Sequence, residues 1–182
     1  MPKRPARKRA ISLPKPQPAA SRPHMPGYGI KGPEEGKGLL PWKWAEERLE
    51  KAHNFWVAST RPDGRPHVMP VWAVWMEGAL YFSTGAKSRK ARNLRANPMC
   101  AVCAEHARGQ IVIEGMAKRL ADASLWKRFA ATYQKKYDFD MSGYSSEPFY
   151  VVRPRTVFGL WEKDFVGSAT RWKFGERRSG VS

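Results

Sequence analysis

Residues 83 to 98 read STGAKSRKARNLRANP and place five cations, Lys87, Arg89, Lys90, Arg92 and Arg95, directly after the apolar run ALYF. A chain that leaves a strand and enters a helix presents backbone N–H groups without intrahelical acceptors, and the helix dipole there favours negative charge. Ser83, Thr84 and Ser88 add hydroxyl donors, while Lys87, Arg89 and Lys90 add full charges. Arginine can also grip a phosphate through two parallel hydrogen bonds. The chemistry of such a turn is phosphate binding. A run of cations is equally often a solvated helix face; the Ser-Thr-Gly run beside it favours binding.

The remaining reactive side chains form no second constellation. Cys100 and Cys103 are spaced as CxxC, but a strand puts them on opposite faces, and no second pair exists to complete a zinc or disulfide framework. His53, His67 and His106 are dispersed; His67 is the most interesting because it precedes the apolar strand VMPVW. Asp138, Asp140 and Glu147 share a loop without the spacing of a calcium site. No catalytic acid, base or nucleophile is expected, and no metal. Trp72, Trp75, Trp161 and Trp172 are candidate walls for a flat ligand, or plain core and interface residues.

The elements around the basic turn read as follows. Residues 1 to 40 are rich in Pro, Lys, Arg and Gly and are expected to be a disordered basic tail. WKWAEERLEKAHN has Trp42, Ala45, Leu49 and Ala52 at helical spacing. FWVAST, RPHVMPVWAVW and ALYFST are strands, joined through RPDG and Glu77-Gly78 turns. SRKARNLRAN is a helix with Ser88 as N-cap and Asn97-Pro98 as its stop. MCAVCA and QIVIEGMAKRL are strands, and ASLWKRFAATYQKKY is a second amphipathic helix. PFYVVRP and TVFGLWE are read as two strands separated at Pro154, and VGSATRWKFGERRSGVS as loop and tail. Hairpin-joined strands with few helices predict an antiparallel barrel with peripheral helices. The domain spans 41–175, with 176–182 as a short C-terminal tail.

The formal net charge is +17, and eight cations without an acid fall in the first 33 residues, leaving +9 for the rest. The body is therefore basic in its own right and favours anionic partners. No apolar run reaches the roughly 18 residues of a membrane helix. The basic N-terminus lacks the apolar stretch of a secretory signal, so a cytoplasmic location without a membrane is expected.

STGAKSRKARNLRANP resembles the flavin-phosphate segment of the pyridoxamine 5'-phosphate oxidase-like split barrels. That family includes FMN enzymes and flavin/deazaflavin oxidoreductases that use coenzyme F-420. RPDGRPHVMPVWAVWMEGALYF is similar to the family's paired strands, and the resemblance covers about residues 50 to 174. It implies a mainly β fold, a six-stranded antiparallel split β-barrel with two or three peripheral helices, working as a homodimer with the cofactor at the interface. Carried over residue by residue, Phe82 and Ser83 match cofactor-touching positions, and Ser88, Arg89 and Lys90 match the phosphate ligands, after a loop one residue longer here. Val68, Met69, Pro70, Val71 and Trp72 match the strand along the ring; Gln110, Trp161 and Arg171 match residues that reach the flavin.

True pyridoxamine phosphate oxidases carry a Lys where Trp72 stands, and ATYQKKYDF keeps their Tyr but not their Arg and Ser. The vitamin substrate is therefore not expected. TRPDGRPHVMPVW and ATRWKF look closer to the deazaflavin branch. Three functions remain open: an F-420- or FMN-dependent reductase of a small organic molecule, a non-enzymatic flavin or heme carrier, and a nucleic-acid protein argued from charge alone. A nonspecific anionic contact by the basic tail is compatible with each.

Overall fold

Phe55, Val57 and Ser59 point inward from β2 (Phe55–Thr60) while Trp56 points out, the period-2 pattern of a strand with one buried face. The same pattern builds β6 (Met99–Ala104) and β7 (Gly109–Leu120), which pair antiparallel with each other. The computed structural model describes residues 17–175, and among these nine strands and four α-helices form a mainly β, antiparallel barrel. No helix among the described residues is long and apolar enough to cross a membrane.

The strand order is β1 (Ala19–Ser21), β9 (Thr170–Lys173), β8 (Phe149–Trp161), β7, β6, β2 and β3 (Pro66–Val71). β4 (Ala73–Met76) pairs with β5 (Ala79–Ser83), and β5 pairs with β8. Glu77 and Gly78 join β4 to β5 with positive φ at both, the turn that matches strand twist.

β8 differs from expectation: Pro154 does not divide it. The strand runs through, pairing β5 with residues 149–152 and β9 with residues 156–159. Pro154 has no N–H to donate, and it sits where the partner changes and the β7 register slips between Glu114 and Gly115. Gly115 permits that bulge, since a Cβ there would meet the Arg153 carbonyl at 2.5 Å.

The expected single strand RPHVMPVWAVW, Arg65 to Trp75, is also two. β3 pairs with β2 and β4 pairs with β5, and the strand breaks at Trp72. The end of α3 (Ala123–Tyr137) clamps that break. The Tyr137 hydroxyl accepts from the Ala73 N–H at 2.9 Å and shares its proton between the carbonyls of Ala73 (2.7 Å) and His53 (2.8 Å). The Lys136 ammonium also donates to the Ala73 carbonyl at 3.0 Å. The Trp72 ring stacks on Tyr137, centroids 4.9 Å apart and nearly parallel.

Residues 17–40 are not the disordered segment that composition suggests. β1 occupies the free edge of β9, and the Arg22 guanidinium donates to the carbonyls of Gly32 (2.8 Å), Ala169 (2.8 Å) and Gly38 (3.4 Å). Leu40 is buried and donates its N–H to Thr170 Oγ1 at 2.8 Å. The segment lacks a core of its own but borrows a strand edge and the barrel's apolar surface. The expected tails at residues 1–16 and 176–182 lie outside the described residues. The expected loop after Val166 is instead α4 (Phe165–Ser168) followed by β9.

One core fills the barrel, with Phe55, Phe82, Ile113, Val157 and Trp172 fully buried. α1 (Trp42–Lys51) closes one end, its Trp42 edge-on to Trp172 at 5.5 Å. A second core lies under α3 and joins Phe129, Tyr133 and Tyr137 to Tyr81 and Phe149. Each fully buried large apolar side chain contributes about 1.5–3 kcal/mol.

Candidate cofactor site

The basic turn folds as the sequence predicts. Ser88 caps α2 (Arg89–Ala96), its Oγ accepting from the Ala91 N–H at 3.1 Å, and Asn97 ends it. Thr84 Oγ1 lies 3.3 Å from Ser88 Oγ. The Thr84 N–H and the Ser83 hydroxyl both donate to the Pro148 carbonyl, at 3.2 and 3.1 Å. Glu147 Oε2 accepts from the Ala86 N–H at 2.6 Å. These bonds hold the turn rigid. Helix geometry leaves the Arg89 and Lys90 N–H groups without intrahelical acceptors, and the Lys87 and Arg89 side chains are exposed.

Two residues that sequence reasoning did not assign join this turn. Burial, and then the charges of Arg61, Lys90 and Arg89, hold the His67 imidazole below its ordinary pKa. All four groups therefore share one electrostatic environment. His67 Nδ1 and Arg61 Nε are buried with no hydrogen-bond partner. Asp63 feels Arg61 and Arg89 but spends its carboxylate on Arg65, at 2.7 and 3.0 Å. A phosphate fits this donor set: it supplies the acceptors and the negative charge that the cluster lacks. The signal in the sequence was the alternation RPDGRPH, which returns Arg61 and His67 to one end of the β2–β3 hairpin.

Lys90 departs from the expected open ligand. It is only 6% exposed, its ammonium donates to the Pro70 carbonyl at 3.3 Å, and it lies 5.9 Å from the Phe82 ring. Desolvation lowers its pKa to about 8. Phe82 departs as well. Its ring is fully buried and stacks on Tyr150 at 5.3 Å, so it supports the site from beneath.

Beside the turn runs the β3 strip. Val68 is 50% exposed and Met69 49%, Pro70 is open, Val71 is buried, and Trp72 is partly open at the break. A cavity of about 320 Å³ is bounded by Asn54, Pro70, Val71, Trp72 and Tyr133. On the other side of Tyr133 a second cavity of about 270 Å³ reaches Ser83, Thr84 and Gly85. Each lies near or below the lower end of the size of a cofactor pocket.

Gln110, Trp161 and Arg171 form a separate group. Gln110 pairs with Leu160 in the sheet and donates to the His106 carbonyl at 3.2 Å. Arg171, opposite Phe158, donates to Ser21 Oγ at 3.1 and 3.2 Å. Trp161 lies with Lys37 over its ring at 5.4 Å. One cross-strand row runs Pro70, Trp56, Cys103, Val112, Phe158, Arg171. Five steps separate its ends, about 24 Å along the sheet. Within one chain the two groups therefore sit on different strands, β3 on one side and β7 to β9 on the other. The surface between them exposes Trp56, Met99 and Met116, with Glu114 as a charged side chain among them.

Cys100 is buried, its thiol pushed up to about 11 by desolvation, while Cys103 faces the other way. His53 packs against Trp72 and Tyr137.

Comparison with known structures places this architecture. An F-420 reductase matches with a TM-score of 0.52 at 24% identity, over 62% of this chain and 94% of that one. HutZ, a heme storage protein from Vibrio cholerae, matches with 0.54 at 20%, over 62% and 88%. A conserved hypothetical protein from Mycobacterium tuberculosis matches with 0.58 at 18%, over 79% and 94%. At these identities the likeness is one of fold. No curated protein matches the sequence. The family model described as pyridoxamine 5'-phosphate oxidase matches residues 42–160, most of the barrel and its basic turn, so the chain belongs to the pyridoxamine 5'-phosphate oxidase family.

Proposed function

We propose that the protein is a deazaflavin- or flavin-dependent reductase that binds F-420 in preference to FMN and reduces a small organic molecule. The observation that carries this reading is the cation cluster at the start of α2, with buried unpartnered nitrogens on Arg61 and His67, beside an open apolar strand. When bound, the cofactor supplies the hydride chemistry itself. The chain's residues bind and orient. Arg89, Ser88, Arg61 and His67 hold the phosphate, and Lys90 adds charge from below. The Val68–Trp72 strip carries the ring, with Trp72 limiting water at its end. No titratable side chain is needed at the reacting atoms.

The protein acts in this reading as a homodimer. The apolar surface around Trp56, Met99 and Met116 takes a second copy, which brings Gln110, Trp161 and Arg171 of the partner subunit toward the basic turn. F-420 is preferred over FMN because Trp72 and ATYQKKYDF lack the phosphate-substrate residues of the classical oxidases, and TRPDGRPHVMPVW and ATRWKF resemble the deazaflavin branch. A body charge of +9 also exceeds what one phosphate needs, while the F-420 tail adds further anions.

Titration of the purified protein with each cofactor at low and high salt tests this. F-420 should bind tighter and lose affinity more steeply with salt. Replacing Arg89 by Ala should cost about 1.5–3 kcal/mol of binding, the range for charge-assisted hydrogen bonds. Tighter FMN binding throughout selects the FMN alternative. Binding of neither, with a Soret band on heme addition, selects the carrier reading that the heme-named structures of the same fold suggest.

A further inference from the structure

The cavity of about 270 Å³ beyond Tyr133 has a lining unlike the rest of the molecule. Besides Ser83, Thr84 and Gly85 it is lined by Tyr133, Phe139, Tyr144, Met141 and Glu147. Tyr133 and Phe139 meet at 6.3 Å and 70°, Phe139 and Tyr144 at 5.6 Å and 45°. The rings are inclined to one another in sequence and form a concave wall instead of a closed stack. Phe139 is 37% exposed and Tyr144 46%, large aromatic surfaces left for something else to cover.

The local charge is inverted. In a chain of net charge +17, residues 138–147 read DFDMSGYSSE and hold three acids and no cation. Glu147 accepts one N–H, from Ala86, and has no lysine or arginine within ion-pair distance among the described residues. Burial, followed by Tyr144, pushes the Tyr133 phenol up to about 12, so it stays neutral and offers its ring face and hydroxyl, not a phenolate charge. Aromatic faces are negative at their centres and attract cations within about 6 Å.

We propose that this cavity is a subsite for an organic cation, a quaternary ammonium or N-alkylated heteroaromatic group, held between the Tyr133–Phe139–Tyr144 wall and Glu147. An anion would meet the Glu147 carboxylate and an aromatic lining that holds no cation. A neutral group would use the rings and leave Glu147 unanswered. The cavity is also lined by Ser83, Thr84 and Gly85, the start of the basic turn, so it lies next to the proposed phosphate site at Ser88 and Arg89. As a substrate subsite this rests on the cofactor reading above; as a cation site it does not.

The test uses the full chain without cofactor, followed by ligand-observed NMR. Choline is compared with its uncharged isostere 3,3-dimethyl-1-butanol, and N-methylpyridinium with benzoate. Nonspecific attraction to a basic protein works against the cations, which makes a preference for them diagnostic. Choline should bind about tenfold tighter than the alcohol, the scale of a desolvated cation–π contact plus one carboxylate. Glu147→Gln keeps an acceptor for the Ala86 N–H and should remove most of that preference. Tyr144→Ala, at an exposed position, should weaken both ligands. Equal affinities, tighter benzoate, no choline binding, or choline binding indifferent to both variants would overturn the proposal. Choline binding without affinity for F-420 or FMN would leave the cation site standing and overturn only the cofactor reading.

Discussion

Replacing Tyr137 by Phe removes one oxygen and leaves the ring stacked on Trp72. That oxygen accepts from the N–H of Ala73, which is fully buried, and no other acceptor stands there. The Ala73 carbonyl keeps the Lys136 ammonium at 3.0 Å, and His53 is exposed enough for water to serve its carbonyl. The loss therefore reduces to one buried unsatisfied donor, which costs about 1–3 kcal/mol. For a chain of this size each kcal/mol shifts Tm by about 2–4 °C, so a cost of about 2 kcal/mol lowers it by about 4–8 °C. Thermal unfolding followed by circular dichroism reads this directly. The same bond fixes the angle between β3 and β4 at Trp72, so cofactor affinity should fall as well. An unchanged Tm would refute the argument that this hydroxyl holds the break.

Lys90 makes the site pH-sensitive, since its folded pKa of about 8 lies below the ordinary 10.5. Phosphate-cofactor affinity should decline as pH rises through about 8, and Lys90→Met should flatten that part of a titration series. Stability should move the opposite way: between about 8 and 10.5 the unfolded chain binds more protons, so stability rises with pH, with Lys136 contributing in the same window. A Cβ on Gly159 would lie 2.5 Å from the fully buried Trp172 ring, so Gly159→Ala should destabilise by about 1–3 kcal/mol, read from urea midpoints. Compared with the full protein, a chain starting at residue 41 loses β1, Arg22 and Leu40. The shorter chain should be less stable by at least about 2 kcal/mol, from the burial of Leu40 alone; equal melting of the two would show that the strap contributes nothing.

Local chemistry was legible before folding. Ser88 as N-cap, the stop at Asn97, the positive-φ turn at Glu77-Gly78 and the bounds of α3 each depend on a few neighbouring residues. So did the opposite faces of Cys100 and Cys103, because strand periodicity needs no partner to define it. The crowding of donors in the basic turn was legible for the same reason: they lie within eight residues, Ser83 to Lys90.

Tertiary structure decided what pairing and burial control. Composition cannot show that β9 leaves an edge open, so residues 17–40 read as disordered although Arg22 can dock on carbonyls 10 to 147 residues away. Pro154 looked like a strand end because the exchange of β5 for β9 is a property of the sheet, not of the residue. The apolar pattern through Trp72 could not reveal the break, since an edge strand exposes Val68 and Met69 on both faces and alternation loses its meaning there. Lys90 carries the same charge in the sequence as Arg89, and only packing against Phe82 and Pro70 turned one inward while the other stayed in water. The sequence determined which donors and charges the turn carries; the fold decided which of them are desolvated, because burial depends on the packing of distant residues.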